Sequence, residues 1–249
     1  MNANGRLSNE EYERLSIEYE QNPPELSGKP GFFNTMILNK LSKTIEHYDS
    51  LIYENNDPVH DSPLLREYMD KWDGQKFIDS LQVSPDKDVL EIGVGTGRLA
   101  IKICGDCHAF WGIDVSQKTI ERAAENLRDF DNCTLICADF LKYQFEKSFD
   151  VVYSSLTFIH ISDKKAAIKK ASKLLKVNGR FVLSFGKSQD KYLAMNNRIL
   201  EIFPSVPSEI KAFFTESGLI IEDFYETEFA FVIVGVQLNK KFGHITRPR

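Results

Sequence analysis

Cysteine is scarce in this chain, basic residues are outnumbered, and no long apolar run occurs. The four cysteines fall as Cys104-x-x-Cys107 and Cys133-x3-Cys137, a spacing that raises a zinc or redox reading. Metal-binding pairs usually sit on turns, whereas Cys133, Leu135 and Cys137 alternate along an expected strand, on one buried face, and Cys104 ends an expected helix. The expectation is four reduced, mostly buried thiols in a cytosolic protein, with no metal site. Lys and Arg number 31 against 36 Asp and Glu, giving a formal net charge of -5 and a pI near 5.6. Such a chain has no general attraction for a phosphate backbone, so nucleic acid is not expected as a partner. No apolar stretch reaches the roughly 20 residues of a membrane span, and the opening MNANGRLSNEEYERL has no signal-peptide core. A cytoplasmic protein that does not enter membranes is expected.

What is present is a 42% hydrophobic composition over 249 residues, enough for one full core and a small appendage. The chain is organised around DVLEIGVGTGRLAIKICGDCHAFWGID, positions 88 to 114. Asp88 to Ile92 is a strand-length apolar run. Gly93, Gly95 and Gly97 follow it, where a chain turning from strand to helix needs residues without a Cβ. A helix from Gly97 to about Cys104 would aim its unpaired amides and positive dipole end at a ligand over the loop. A second strand, Ala109 to Ile113, then presents Asp114 beside the loop, where a carboxylate can accept both hydroxyls of a ribose.

The dinucleotide fingerprint G-x-G-x-x-G, begun at Gly93, would need glycine at position 98, which is Arg98. Glu91-x-Gly93-x-Gly95-x-Gly97 instead resembles motif I of the class I S-adenosylmethionine-dependent methyltransferases, and the resemblance continues in order from about position 86 to about 238. It implies an α/β, Rossmann-like fold: a seven-stranded, mostly parallel sheet with an antiparallel last strand, helices on both faces, and here a helical N-terminal extension. It implies S-adenosylmethionine as cofactor, its methionine part lying across Gly93, Gly95 and Gly97 next to Glu91. By the same resemblance Asp114 holds the ribose hydroxyls, Asp139 accepts from the adenine amino group, and Val115 and Phe140 pack on the adenine ring. Ser154 and Ser155 open the segment in which the family places its reacting centre.

The elements around this unit read in order. After Asp114, helix and strand alternate, which argues for a parallel sheet covered on both faces. Ser116 caps a helix with Ile120, Ala123, Ala124 and Leu127 on its inner side. Thr134 to Ala138 and Phe149 to Ser154 are the third and fourth strands. Ser162 caps a helix whose Ala167, Ala171, Leu174 and Leu175 face inward while Lys164, Lys165, Lys169, Lys170 and Lys173 face water, and Asn178-Gly179 ends it. Arg180 to Phe185 is the fifth strand. Residues 186–207 then break the alternation, and Tyr192, Met195, Arg198 and Phe203 are candidates for a wall of the substrate pocket. Pro207-Ser208 opens a helix that Gly218 stops, and two strands in hairpin spacing close the chain before a basic tail.

Three units are expected: an N-terminal helical extension over 1–45, a helical lid segment over 46–85, and the methyltransferase-like domain over 86–249. Ser8 and Glu11 form a capping box before the stripe Tyr12, Leu15, Tyr19, and QNPPELSGKP at 21–30 is a linker. A helix over roughly Asn34 to Tyr48 runs into Tyr48-Asp49, which resembles the tyrosine-aspartate lid element of small-molecule methyltransferases. Tyr48, Tyr53 and Trp72 are lid aromatics, and Tyr48 and Trp72 are assigned to the cofactor. The N-terminal helices could pair two copies into a homodimer.

Absent motifs narrow the chemistry. Asn22-Pro23-Pro24-Glu25 lacks the ring and the preceding strand of an amine-methylating motif, and positions 154–161 hold neither that motif nor a proline-cysteine nucleophile. The content of that segment resembles the small-molecule group of the family. The reaction this implies is direct displacement of the methyl group from the sulfonium by a small-molecule acceptor, with alignment and exclusion of water as the protein's main task. His160 is the candidate general base, with Tyr48 or Tyr53 assisting. The competing readings are a non-catalytic S-adenosylmethionine-binding regulatory protein and an aminopropyltransferase-type enzyme on the same fold.

Overall fold

The computed structural model describes residues 32–195 and 198–238. The capping box at Ser8, the 12–19 stripe, the 21–30 linker and the tail from 240 lie outside them. Helix α1, Phe32–Tyr53, runs through position 45 and beyond Tyr48, so the lid element is the end of one rod. Helix α2, Pro63–Asp70, starts with Pro63 in its first turn, behind Ser62, whose hydroxyl accepts the Leu65 N–H. Helix α3 is Gly74–Leu81, and Asp73 caps it by accepting the Gly74 N–H at 2.8 Å. Asp73 thus forms a cap between two helices, with Gly74 at φ +70°.

Strands β1 (Asp88–Ile92), β2 (Ala109–Asp114), β3 (Cys133–Cys137), β4 (Phe149–Ser154) and β5 (Leu175–Gly186) are parallel, with helices α4 (Gln117–Asn126) and α5 (Lys164–Lys173) between them. A separate two-stranded hairpin, β6 (Tyr192–Met195) and β7 (Arg198–Glu201), fills the 186–207 insertion. Helix α6 (Pro207–Glu216) leads to β8 (Ile220–Glu226) and β9 (Ala230–Val236). The main sheet runs in the order β3-β2-β1-β4-β5-β9-β8, with β9 antiparallel to both its neighbours. Six strands of one direction and one reversed strand result.

Alternation along the central strands sends side chains to two cores. Val89, Val151, Tyr153, Val182 and Val232 join Phe77 and Leu81 of α3 and Ile120 of α4 on one face. Leu90, Val152, Phe181, Leu183 and Ile233 meet Ala167, Ile168 and Ala171 of α5 and Phe214 of α6 on the other. Phe181 and Phe214 stack with centroids 5.1 Å apart, a pair contributing about 0.5–1.5 kcal/mol beyond its buried area.

Several local expectations are corrected. The segment after Gly97 is not an α-helix but two 3₁₀ turns, Ala100–Lys102 and Cys104–Asp106, because Gly105 and Asp106 are poor helix formers and the return to β2 is short. It therefore offers no extended helix dipole. Asp163, not Ser162, caps α5, its carboxylate accepting the Ala166 N–H at 2.8 Å. That helix ends at Lys173 because Leu175 already pairs with Phe149, and Asn178, at φ +63°, lies with Gly179 inside β5 where its register to β4 shifts. Lys164 is buried rather than solvated. Ala124 faces solvent, and so does Cys137, at the end of edge strand β3. Cys104 and Cys107 are buried, and the Cys133 thiol contacts the Cys104 sulfur at 2.9 Å.

Candidate functional site

The glycine loop leaves β1 at the centre of the sheet. Gly93, Gly95 and Gly97 all have positive φ, at +78°, +56° and +96°. The Gly93 and Val94 amides donate to the Ile113 carbonyl at 2.8 and 3.1 Å, which binds the loop to the end of β2. A Cβ on Gly93 would stand 1.9 Å from Thr157 Oγ1, whereas one on Gly95 would meet nothing within 4 Å. The loop is thus packed from below at Gly93 and open above Gly95, the arrangement that lets a ligand press on the backbone.

Asp114 ends β2 beside this opening. Its carboxylate accepts the Gly95 N–H at 3.1 Å and the Ser116 N–H at 3.0 Å. Two of about four lone-pair directions are used, leaving capacity for two ligand hydroxyls. Burial raises its pKa, and the amide hydrogen bonds oppose the rise. Val115 is half-buried next to it. Asp139, just beyond β3, accepts the Leu141 N–H at 2.8 Å and so also stabilises the following turn. Phe140 is turned into the core, in the same cluster as Phe149 and Leu175.

Beneath the loop, Glu91 is 3% exposed and accepts the Tyr153 hydroxyl at 2.8 Å. Burial pushes its pKa up to about 8, against the opposing Tyr153 hydrogen bond and the Arg98 charge. Ser154 donates to the Ile92 carbonyl at 2.8 Å, and Ser155 donates to Asp73 at 2.8 Å. Asp73, 2% exposed, also accepts both terminal nitrogens of Arg98, one at 3.1 Å. No sequence pattern marks this Arg98–Asp73–Ser155 cluster, and Arg98 stands out in the sequence only as the residue that breaks the dinucleotide spacing.

The roof comes from α1. The Tyr48 hydroxyl lies 2.7 Å from Nε2 of His160, which sits in a 3₁₀ turn after β4, and the rings meet edge to face. Tyr48 also lies within the electrostatic reach of Asp114, and burial and that charge raise its pKa. Since β1 lies between β2 and β4, Tyr48 bridges the two strand ends that flank the glycine loop. Burial pushes the His160 pKa down to about 4, with His47 and Lys164 adding to the shift. The neighbouring Asp49 accepts the Ser116 hydroxyl at 2.7 Å and the Lys118 N–H at 3.4 Å, docking α1 on the start of α4. Arg198 of β7 bonds Nδ1 of His47 at 3.2 Å and forks onto Glu54, so the insertion hairpin closes against α1 as well.

Not every expected lid aromatic joins this roof. Tyr53 is 75% exposed. Trp72 packs on Gly186 and Phe229 at the carboxyl end of β5, on the same edge of the sheet as the glycine loop but apart from Tyr48, while its carbonyl accepts the Ser184 hydroxyl. Among the described residues no group of three or more His, Cys, Asp or Glu side chains is placed to hold a metal, and no helix is long and apolar enough to cross a membrane.

Residues 89–179 match the family model described as "Methyltransferase domain". An uncharacterized methyltransferase of Anoxybacillus flavithermus is 32% identical over 56% of this chain and 62% of its own length. A malonyl-[acyl-carrier protein] O-methyltransferase 2 of Ilyobacter polytropus is 30% identical over 48% of this chain and 46% of its own. The chain thus spans less than two thirds of either relative. The N-methyltransferase NodS of Bradyrhizobium japonicum, solved with S-adenosylhomocysteine, superposes with a TM-score of 0.62 at 17% identity, covering 80% of this chain and 100% of that one. At that identity the likeness speaks to the fold.

Proposed function

We propose that this chain, whose residues 89–179 match a methyltransferase-domain model, is a class I S-adenosylmethionine-dependent enzyme that transfers a methyl group to a small-molecule acceptor. S-adenosylmethionine supplies, when bound, a methyl group already activated on a sulfonium. The residues present suit it: an open backbone above Gly95, a carboxylate with spare acceptor capacity at Asp114, and a second carboxylate, Asp139, at the next strand end. Asp114 would hold the ribose and Asp139 the adenine edge, with Val115 beside the ring. Phe140, turned into the core, supports the strand end from below.

The observation that carries the reading is the bond of Asp114 to Gly95, which fixes the acidic strand end and the open glycine loop as one cradle. Tyr48 and His160 then face the acceptor side, where closing α1 excludes water. The names of the relatives give oxygen in one case and nitrogen in another, so which atom of the substrate accepts the methyl group has to be argued from the residues of this chain's own site. A cytoplasmic setting belongs to the same reading, supported by the four free cysteines. Pairing of copies through the N-terminal helices belongs to the same reading.

Thermal unfolding with added S-adenosylhomocysteine tests the function. A ligand that binds only the folded state at 100 times its Kd adds about 2.7 kcal/mol, a rise in Tm of several degrees for a chain of this size. No rise at millimolar ligand would remove the cofactor, and the activity with it.

A further inference from the structure

Among the described residues, Nδ1 of His160 is a buried nitrogen with no hydrogen-bond partner. Counting protons settles what it presents. Tyr48 has one hydroxyl hydrogen, and its oxygen is bonded to Nε2. If Nε2–H were the donor, the Tyr48 hydrogen and the Nδ1 lone pair would both lack partners. If the hydroxyl donates, only Nδ1–H is left over. A second unpaired buried group is costly, so the ring carries its proton on Nδ1 and presents a donor.

The charge that faces that ring is the Lys164 ammonium, while His47, its Nδ1 accepting from Arg198, is held neutral. His160 feels His47 and Lys164, and no acid is among the groups that shift it. Lys164 is 8% exposed, and its ammonium donates to the Ile161 carbonyl at 3.0 Å and the Phe203 carbonyl at 2.6 Å, two of its three hydrogens. Glu209 is the acid whose charge reaches it, but no carboxylate among the described residues lies within ion-pairing distance, and burial outweighs Glu209 to lower the Lys164 pKa to about 8. A buried ammonium with no acid in contact, near an unpaired buried donor, suits an anionic oxygen from outside.

We infer that the methyl acceptor is a carboxylate, seated by Nδ1–H of His160 with Lys164 supplying the positive field, and that the product is a methyl ester. This rests on the methyltransferase reading above. In the step, a carboxylate oxygen lone pair forms the new carbon–oxygen bond while the methyl carbon–sulfur bond breaks. Its electron pair returns to sulfur, cancelling the sulfonium charge as the carboxylate loses its own. No proton moves, so no base is needed. The base role read from the sequence requires a free imidazole lone pair, and Tyr48 occupies the one on Nε2. Burial, which keeps His160 neutral, agrees with a donor.

The test uses full-length protein with ¹⁵N-labelled histidine, first titrated with S-adenosylhomocysteine and then, so loaded, with benzoate and octanoate against benzamide and octanamide. The expected spectrum has the His160 proton on Nδ1, with that resonance shifting on either carboxylate and on neither amide. Tyr48→Phe and Lys164→Met should each weaken carboxylate binding about tenfold and leave S-adenosylhomocysteine affinity within about twofold. A proton on Nε2, an equal response to the amides, or silence toward both carboxylates overturns the inference while leaving the methyltransferase reading intact. Loss of S-adenosylhomocysteine affinity in His160→Phe also overturns it, because the anion held would then be the cofactor's own. Failure of S-adenosylhomocysteine to bind the wild type removes both.

Discussion

Tyr48 and His160, 112 positions apart in the chain, are joined by a 2.7 Å hydrogen bond that closes α1 over the end of β4. Removing only the hydroxyl, in Tyr48→Phe, keeps the ring and its packing but frees Nε2. Turnover should fall about 10- to 100-fold, the effect of losing one orienting hydrogen bond at a reacting centre. S-adenosylhomocysteine affinity should hardly change. Steady-state kinetics alongside calorimetry separate the two.

Gly93 and Gly95 are expected to respond differently to alanine. At Gly93 the new methyl group would overlap Thr157 and sit at φ +78°, so Tm should drop by well over the 2–4 °C that 1 kcal/mol represents in a chain of this size. At Gly95 the methyl group enters open space at φ +56°, a strain of about 1–2 kcal/mol. There the fold should survive while S-adenosylhomocysteine binding weakens about tenfold or more. Calorimetric scans and titrations of both variants check the contrast.

Glu91 gives stability a pH slope. Its folded pKa, about 8, lies above the ordinary 4.5, so between those values the folded state holds a proton that the unfolded chain has lost. Stability contributed by this site therefore falls as pH rises from 4.5 to 8 and is level above. His160 acts oppositely, its folded pKa of about 4 lying below 6.5, so its contribution is lost as pH falls from 6.5 to 4. The two offset one another in mildly acidic buffer, and the decline from Glu91 stands alone between pH 6.5 and 8. Glu91→Gln should be the more stable protein at pH 8, by up to a few kcal/mol, with that decline abolished. Urea unfolding at several pH values reads it directly.

Asp49 holds the lid down. Asp49→Ala removes the acceptor for the Ser116 hydroxyl and the Lys118 N–H, at a cost of about 1 kcal/mol. Hydrogen exchange should accelerate along α1 while β1 and β4 stay protected. Equal exchange in the two proteins would mean that α1 is held by other contacts, such as the Arg198 fork onto Glu54.

Much of this site was legible because it depends on short-range rules. Three glycines after an apolar strand, an acid at the next strand end and alternating helices specify the loop, Asp114 and a parallel sheet, while the seven-stranded layout with its reversed strand followed from the family resemblance. What escaped depends on partners distant in sequence. Lys164 begins an amphipathic helix and reads as solvated; only the carbonyl of Phe203, 39 positions on, reveals why it is buried. Asp73 carries no local signal of its role, which shows only where Arg98 and Ser155 converge on it. Asn178-Gly179 has the composition of a helix end, and strand pairing by Leu175 overrides it. The hairpin β6–β7 hides in a polar insertion whose strands are four residues each, too short for periodicity to show.

The most direct measurement is calorimetric titration of the wild type and Asp114→Ala with S-adenosylmethionine and S-adenosylhomocysteine. Micromolar binding of both, weakened about tenfold or more by the substitution, is the predicted result and places the ribose on Asp114. Binding untouched by Asp114→Ala, or none to the wild type, would contradict the cradle built from Asp114 and Gly95.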